Sequence, residues 1–528
     1  MAGQDTFRPG ISPWGIRVCI FMLLIPNLLL FCISTANIAA ASGFYGIDSD
    51  DAQFSLIILY AGVVSFFPLE RHLSGFLSTR NYLVISVILE ITTAYAAYLT
   101  RDFTVLIVIR FLQGLANISL VAICINLIFS SLRTERSREI GYSVLYCILL
   151  CISPITILLT APLIDQIDYN KLYLYTAIAF VPGGLFAFYI LNEKRLNESI
   201  PIHGVDWKSF IIYSTALVSL SYTLTYGQQL DWFESSKILL ALFLFFISVL
   251  AHFLRQSHLE RAFLSTAVFR YTNFWIGTLL LLVLYISRGA FNFTTAYFVQ
   301  SLGFSPAHLG FFLIYNIIGA IAGTVITSRL MIAKVSFRMI WISGLSFLLM
   351  HQIWMIFLFN SQGEEQAFII PLFLQGFGAG LMLAPIIVYM VTSVPLELGG
   401  AAVSTAISVR LLGTLLSMGL INYFQLSASQ LHIDRFQQNL SADGGMLEQR
   451  LSQYRQVLAR KYSDPHDLEL SANQLLKNVI DHQAAIRTEI DYYVLISILL
   501  AMVILIIAVG PSVKYKKVPL DGIHDVPV

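Results

Sequence analysis

Five ionisable side chains sit inside long apolar runs of this sequence: Glu90, Arg110, Arg288, His351 and Arg410. Ionisable groups are costly in hydrocarbon, and those retained there serve proton relays, solute contacts or ion pairs. Glu90 lies at the middle of its run, about 13 Å deep at the rise of a helix. Arg110 lies early in the next run, about 10 Å from the same face. Two antiparallel helices on a short link could join them as an ion pair. Glu90 could equally be a protonatable group that couples solute movement to a proton gradient, because burial penalises its charge and a nearby arginine favours it. Arg288 shares a helical face with Tyr285 and Asn292, three residues before and four after it. Such a stripe suits a water-filled cavity, where Arg288 either meets an anionic group on a substrate or balances Glu90. Arg410 opens Arg410-Leu411-Leu412-Gly413-Thr414. A contact to a neighbouring helix carbonyl and a cavity role both fit it. His351 has no partner in sequence and reads as an interior histidine, and His252 lies near the end of its run.

Other chemistries lack their residues. Gly376, Gly378 and Gly380 form a G-x-G-x-G run, but inside an apolar helix and after no strand, so close helix packing explains it better than a dinucleotide. Gly319 and Gly323 fit the same explanation. No zinc set, Ser-His-Asp set or phosphate loop is present, so no cofactor or metal is expected, and active transport must draw on an ion gradient. The five cysteines, Cys19, Cys32, Cys124, Cys147 and Cys151, all fall in apolar runs and read as packing residues.

The elements that carry these residues must lie in lipid. Of 528 residues, 57% are apolar and 12% charged, against about 45–50% and 25% in soluble domains. One aqueous core cannot absorb that excess. A net charge of +1 argues against a nucleic-acid partner. Fourteen runs approach the length of about 20 residues that spans a bilayer: Arg17–Ala41, Gln53–Leu73, Tyr82–Leu99, Phe103–Phe129, Ile140–Leu163, Leu172–Leu191, Ser209–Tyr226, Lys237–Phe253, Phe274–Val299, Leu309–Leu330, Ile340–Phe359, Phe368–Thr392, Gly400–Phe424 and Tyr493–Val509. The first is too long for the apolar core of a signal peptide and is expected to stay uncleaved. Nineteen Lys and Arg fall in alternate connections that share a side with the N-terminus, against Arg101, Lys171 and Lys237 in the short opposite ones. That bias predicts a multi-pass protein of the cell inner (plasma) membrane with both termini cytoplasmic.

The polar stretches Asn192–Lys208 and Arg255–Arg270 divide the spans into six, two and six. The expected units are an N-terminal bundle (1–200), two inserted helices (201–270) and a C-terminal bundle (271–528). Six and six suit two parallel repeats with a site between them at the midplane, although no residue-level repeat is evident. Within Gln425–Asp491, helical periodicity over 447–454 and 475–486, punctuated by Asp464-Pro465, predicts two helices outside the membrane. They suit a packed cap or a docking surface.

The chain resembles the fourteen-helix drug:proton antiporter family of the major facilitator type. Gly376, Gly378, Gly380, Pro385, Pro395, Gly399-Gly400-Ala401, Ser404, Arg410 and Gly413 carry the resemblance most strongly. Arg110-Phe111-Leu112-Gln113-Gly114 is similar to the family's span-4 motif, whose arginine is implicated in proton transfer. Asp206-Trp207, Gly227, Trp232-Phe233, Phe269-Arg270 and Asn273-Phe274 match around the inserted helices, and Gln300, Gly303, Ser305-Pro306 and Gly310 in the next outer loop. The chain also departs from the pattern. Asn37 fits span 1, but the aspartate five residues before it is Cys32. Pro68-Leu69 fits the span 2–3 gate, whereas 70–80 lacks its Gly, Asp and Arg pattern. The span-5 Gly-Pro motif is reduced to Ser153-Pro154 and Ala161-Pro162.

The resemblance implies an all-α facilitator fold. It implies alternating-access export of an amphipathic small organic compound in exchange for protons, with Glu90 and Arg110 as coupling candidates. Asn37, Gln113, Tyr285, Arg288, Asn292 and Arg410 are the cavity candidates. The partners it implies are the substrate, protons, the bilayer and a periplasmic adaptor protein. An importer of the same fold, or a membrane-embedded enzyme or receptor, are the alternatives.

Overall fold

A computed structural model describes residues 7–8, 10–132, 137–164, 166–193, 206–256, 259, 263–360, 363–442, 444–460 and 464–510. Parts of the polar stretches discussed above (194–205, 257–258, 260–262, 443 and 461–463) lie outside this set, as do Arg133, Arg136, Lys194, Arg195, Arg261, Lys514, Lys516 and Lys517 of the nineteen basic residues counted there.

The described chain is helical. The elements are α1 (Pro13–Ala36), α2 (Ile38–Tyr45), α3 (Ser49–Phe76), α4 (Thr79–Leu99), α5 (Phe103–Ser131), α6 (Ser137–Ile164) and α7 (Lys171–Ile190). Then come α8 (Trp207–Tyr226), α9 (Ser236–Gln256), α10 (Thr272–Gly289), α11 (Phe291–Gln300), α12 (Pro306–Phe312) and α13 (Ile314–Ile332). The last are α14 (Phe337–Leu358), α15 (Ile369–Thr392), α16 (Gly399–Tyr423), α17 (Ser429–Ala442), α18 (Gly444–Leu458) and α19 (Pro465–Val509). Short links with capping residues punctuate them. Asp102 accepts from the amides of Thr104 and Val105 to start α5, and Ser336 accepts from Met339 to start α14.

Thirteen stretches among the described residues are long and apolar enough to cross a membrane. The expected span Ser209–Tyr226 is α8, a 20-residue helix whose serines, threonines and tyrosines lower its hydropathy. With it the candidate spans among the described residues number fourteen. Lipid contact is plain on α9, where Leu239, Leu240, Phe243, Phe246, Ile247 and Leu250 are exposed.

The same packing order occurs twice. In the first six spans α3 packs on α5, α4 on α5 and α7, and α1 on α5 and α6. In the last six α13 packs on α15, α14 on α15 and α19, and α10 on α15 and α16. A short sequence repeat underlies the closest pairs: Phe111-Leu112-Gln113-Gly114 in α5 and Phe373-Leu374-Gln375-Gly376 in α15. A Cβ on Gly114 would stand 2.9 Å from the Val63 amide nitrogen, and one on Gly376 would stand 2.8 Å from that of Ala320. Each glycine thus lets its helix meet a neighbour backbone to backbone. The position of Arg110 is occupied by Leu372 in the second copy, so the repeat is chemically asymmetric.

Helix α8 touches both sets of six. The Tyr213 hydroxyl lies 2.8 Å from Ser408 Oγ on α16, and Asn422 Nδ2 on α16 donates to the Thr225 carbonyl at 2.8 Å. Toward α3, Tyr226 donates to Asp51 at 2.5 Å, and Phe66 and Phe210 meet edge to face at 6.1 Å. Asp206 caps α8 and pairs with Arg255 of α9 at 2.7 Å.

The outer segment differs from expectation. Its second helix and the last span are one continuous helix, the 45-residue α19. No glycine or proline follows Pro465 within it, so nothing breaks the helix where polar sequence turns apolar. Helices α17 and α18 pack on it, and Arg455 bridges Glu448 and Glu469 at 3.0 Å each.

Candidate functional site

Five helices drawn from both sets converge near mid-span. Arg410 of α16 donates from Nε to the Tyr285 hydroxyl of α10 at 2.8 Å. Its guanidinium lies 5.5 Å from the Tyr285 ring and 5.7 Å from the Tyr146 ring of α6. Gly413 makes this approach possible, because a Cβ there would stand 2.7 Å from Tyr285 Cβ. Arg288 follows Tyr285 by one turn, with its guanidinium 5.6 Å from that ring. It occupies the last turn of α10, where the free carbonyls of a helix end favour a cation. Tyr60 of α3 and Cys151 of α6 face Arg288 electrostatically, and Cys32 of α1 lies in range of both Arg288 and Arg110. Tyr146 stacks on Tyr142 at 6.0 Å, and Phe31 meets Tyr60 edge to face at 5.6 Å.

This arrangement is a chamber wall of tyrosines and two cations. Both arginines are half-buried. The chamber can hold an aromatic or apolar body against the rings and a polar head on the guanidinium groups.

The N-terminal candidates lie elsewhere. Arg110 is fully buried and donates to the α1 carbonyls of Leu30 at 2.7 Å and Phe31 at 3.0 Å, and to Gln113 Oε1 at 3.0 Å. Glu90 is fully buried on the face of α4 that packs on α5 and α7, and neither carboxyl oxygen has a hydrogen-bond partner. It senses Arg110 through space, without the direct ion pair that the hairpin permitted. Asn37 interrupts the helix between α1 and α2 and donates to Thr160 at 2.5 Å. Asn292 lies past the break after α10, is exposed, and hydrogen-bonds neither arginine. His351 is an interior histidine, with Nδ1 2.9 Å from the Pro371 carbonyl and Nε2 buried without a hydrogen-bond partner.

Several residues of these clusters were not singled out by the sequence. Tyr60, Tyr146 and Cys151 are ordinary residues in apolar runs. Asn27 and Asn117 form a buried reciprocal clamp between α1 and α5, with three hydrogen bonds of 3.0–3.2 Å. Two asparagines inside long apolar runs were the available signal. Glu489, buried on α19 just outside the expected last span, was hidden by that boundary.

The family model described as Major Facilitator Superfamily matches residues 19–418. The chain is 22% identical over 488 residues to the probable multidrug resistance protein EmrY of Escherichia coli (strain K12), covering 89% of this chain and 93% of that one. It is 21% identical over 516 residues to multidrug resistance protein 3 of Bacillus subtilis (strain 168), covering 95% of each. Its fold is similar to that of a POT family transporter crystallised with a thioalcohol-conjugated peptide. The TM-score is 0.60 at 12% identity, over 96% of this chain and 99% of that one.

Proposed function

The chain belongs to the Major Facilitator Superfamily, and from that membership we propose that it exports an amphipathic small organic compound by alternating access, in exchange for protons. One observation carries this reading: the chamber is walled by α1, α3 and α6 from one set of six spans and by α10 and α16 from the other. A solute held there touches both sets, so relative motion of the two can hand it across the membrane. The bundles 1–200 and 271–528 are the moving parts of this reading, and 201–270 forms the peripheral pair. The names of the two bacterial relatives support the outward direction.

Glu90 is the proposed coupling group. Its charge acts on Arg110, and Arg110 holds α1 at Leu30 and Phe31, beside Cys32 on the chamber wall. The Lys and Arg bias supports an inner-membrane location with cytoplasmic termini. Helices α17 and α18 offer the surface for a periplasmic adaptor. Cross-linking from Val457 to an envelope protein supports that role, and undiminished cellular efflux after deletion of 429–460 removes it.

The main test is dye efflux from susceptible bacterial cells carrying vector, wild type, Arg110→Ala or Glu90→Gln at equal membrane expression. Wild-type efflux that collapses with a protonophore, and is lost in both variants, is the expected result. Loss in Arg110→Ala alone removes Glu90 from the coupling. Efflux that persists with protonophore removes the proton.

A further inference from the structure

We propose that the transported compound is an organic anion, an acidic group on an aromatic or apolar body, with the acid held between Arg288 and Arg410. This rests on the export reading above and names its substrate class.

The charges in the chamber do not balance. The guanidinium groups of Arg288 and Arg410 both lie over the Tyr285 ring, at 5.6 and 5.5 Å, and Arg410 also lies over Tyr146 at 5.7 Å; Tyr60 and Cys151 are further groups within electrostatic range of Arg288. None of these is a carboxylate. No salt bridge among the described residues involves either arginine. The hydrogen bond of Arg410 uses only Nε, and Arg288 Nε is buried without a partner. The terminal nitrogens of both guanidinium groups therefore remain free to donate in pairs, a geometry that suits a carboxylate or sulfonate. The end of α10 offsets part of the charge on Arg288. Arg410, in the middle of α16, has no helix end beside it, only the Tyr285 hydroxyl and two tyrosine rings, none of which carries a negative charge at neutral pH.

Glu90 does not repair the imbalance: it is buried on α4, which packs on α5 and α7 inside its own bundle, and the cation within its electrostatic range is Arg110. On α1, the residue in range of both Arg110 and Arg288 is Cys32, whose thiol brings no negative charge. A carboxylate at this position would supply a counter-charge from the protein itself. Here the position is left for the solute to balance. The Tyr60 hydroxyl, buried without a partner, adds a further donor toward the same space. The rings of Tyr60, Tyr146 and Tyr285 then take the apolar body.

The test uses three probes that share one ring system and differ in head group: 1-naphthaleneacetate, 1-naphthaleneacetamide and 2-(1-naphthyl)ethylamine. Saturable binding to the full chain in lipid nanodiscs is measured by equilibrium dialysis against empty nanodiscs. The acid should bind at least about tenfold more tightly than the amide or the amine. Arg288→Gln and Arg410→Gln should each weaken it roughly ten- to hundredfold, and Arg288→Lys, which keeps the charge but not the paired donors, should restore only part of it. Cys32→Asp should weaken it comparably while leaving the thermal midpoint in place, which a merely structural role for the arginines would not produce.

Equal or tighter binding of the amide or amine overturns the proposal. So does saturable binding of none of the three, or unchanged acid binding in Cys32→Asp. The assay contains no gradient and no transport step, so it fails independently of the export reading. Acid binding without protonophore-sensitive efflux in cells would remove proton-driven export and keep the anion site, and the reverse result would remove the anion site alone.

Discussion

Gly413→Ala tests whether close helix packing sets the geometry of the chamber. The added methyl would stand 2.7 Å from Tyr285 Cβ, whereas unstrained carbon contacts lie at about 3.5–4.0 Å. Helix α10 must therefore yield by about 1 Å along that direction. Arg410 Nε and the Tyr285 hydroxyl, now 2.8 Å apart, would separate beyond the about 3.2 Å limit of a sound hydrogen bond. Losing a charge-assisted bond costs about 1.5–3 kcal/mol, and overpacking adds about 1–3 kcal/mol. A lower thermal midpoint is expected, together with roughly tenfold weaker binding of naphthaleneacetate as Arg410 loses its orientation. The decisive comparison is a double-mutant cycle with Tyr285→Phe, which removes the hydroxyl and leaves the packing. If the glycine acts through this hydrogen bond, its effect on binding shrinks sharply in the Tyr285→Phe background. Wild-type binding by Gly413→Ala, or an undiminished effect in that background, refutes the reasoning.

Two further outcomes follow from polar contacts. Asn117→Leu should destabilise the protein by about 1–3 kcal/mol, because it strands the Asn27 amide between α1 and α5. The double variant Asn27→Leu/Asn117→Leu should lose less than the sum of the single variants, as thermal unfolding in detergent would show; strict additivity would mean that the clamp does not act as a unit. At Asp206, partial burial alone would raise the carboxyl, but hydrogen bonds from Arg255 and Ser209 outweigh it and hold its pKa below the ordinary carboxylate value. A depressed folded value stabilises the protein above the unfolded pKa of about 4, and that contribution fades as pH falls through the folded value. The thermal midpoint of Asp206→Asn should therefore lie below wild type at neutral pH, with the gap closing in acid. A gap that is constant with pH would mean that the ion pair with Arg255 contributes nothing.

The spans were legible because lipid demands long apolar runs. The stripe of Tyr285 and Arg288 was legible through helical spacing, and Arg410 through its isolation in an apolar run. Helix rotation was not legible. A helix buried on one side and lipid-exposed on the other is apolar all round, so its sequence does not say which face Glu90 occupies. Tyr60, Tyr146 and Cys32 gain their roles only from the arginines brought to them by other helices. The Phe-Leu-Gln-Gly repeat at 111–114 and 373–376 was present in the sequence, but four residues shared across a separation of 262 carry little weight until both glycines are seen at equivalent crossings. The joining of the outer helix to the last span was missed for a local reason: between Pro465 and Val509 the backbone has no stop signal, so composition changes while the helix does not.

That unbroken helix has a mechanical consequence. At 1.5 Å per residue, the part of α19 before Tyr493 is about 42 Å long. It is a lever fixed to the C-terminal bundle. A tilt of about 10° in that bundle, too small to alter distances within the helix packing, sweeps the tip through about 7 Å. The outer helices that rest on α19 therefore act as the pointer of a gauge, magnifying the state of the chamber at a point far from it. A pair of spin labels, one near Asp467 on the tip and one on the N-terminal bundle, would give a distance that changes with each turn of the transport cycle.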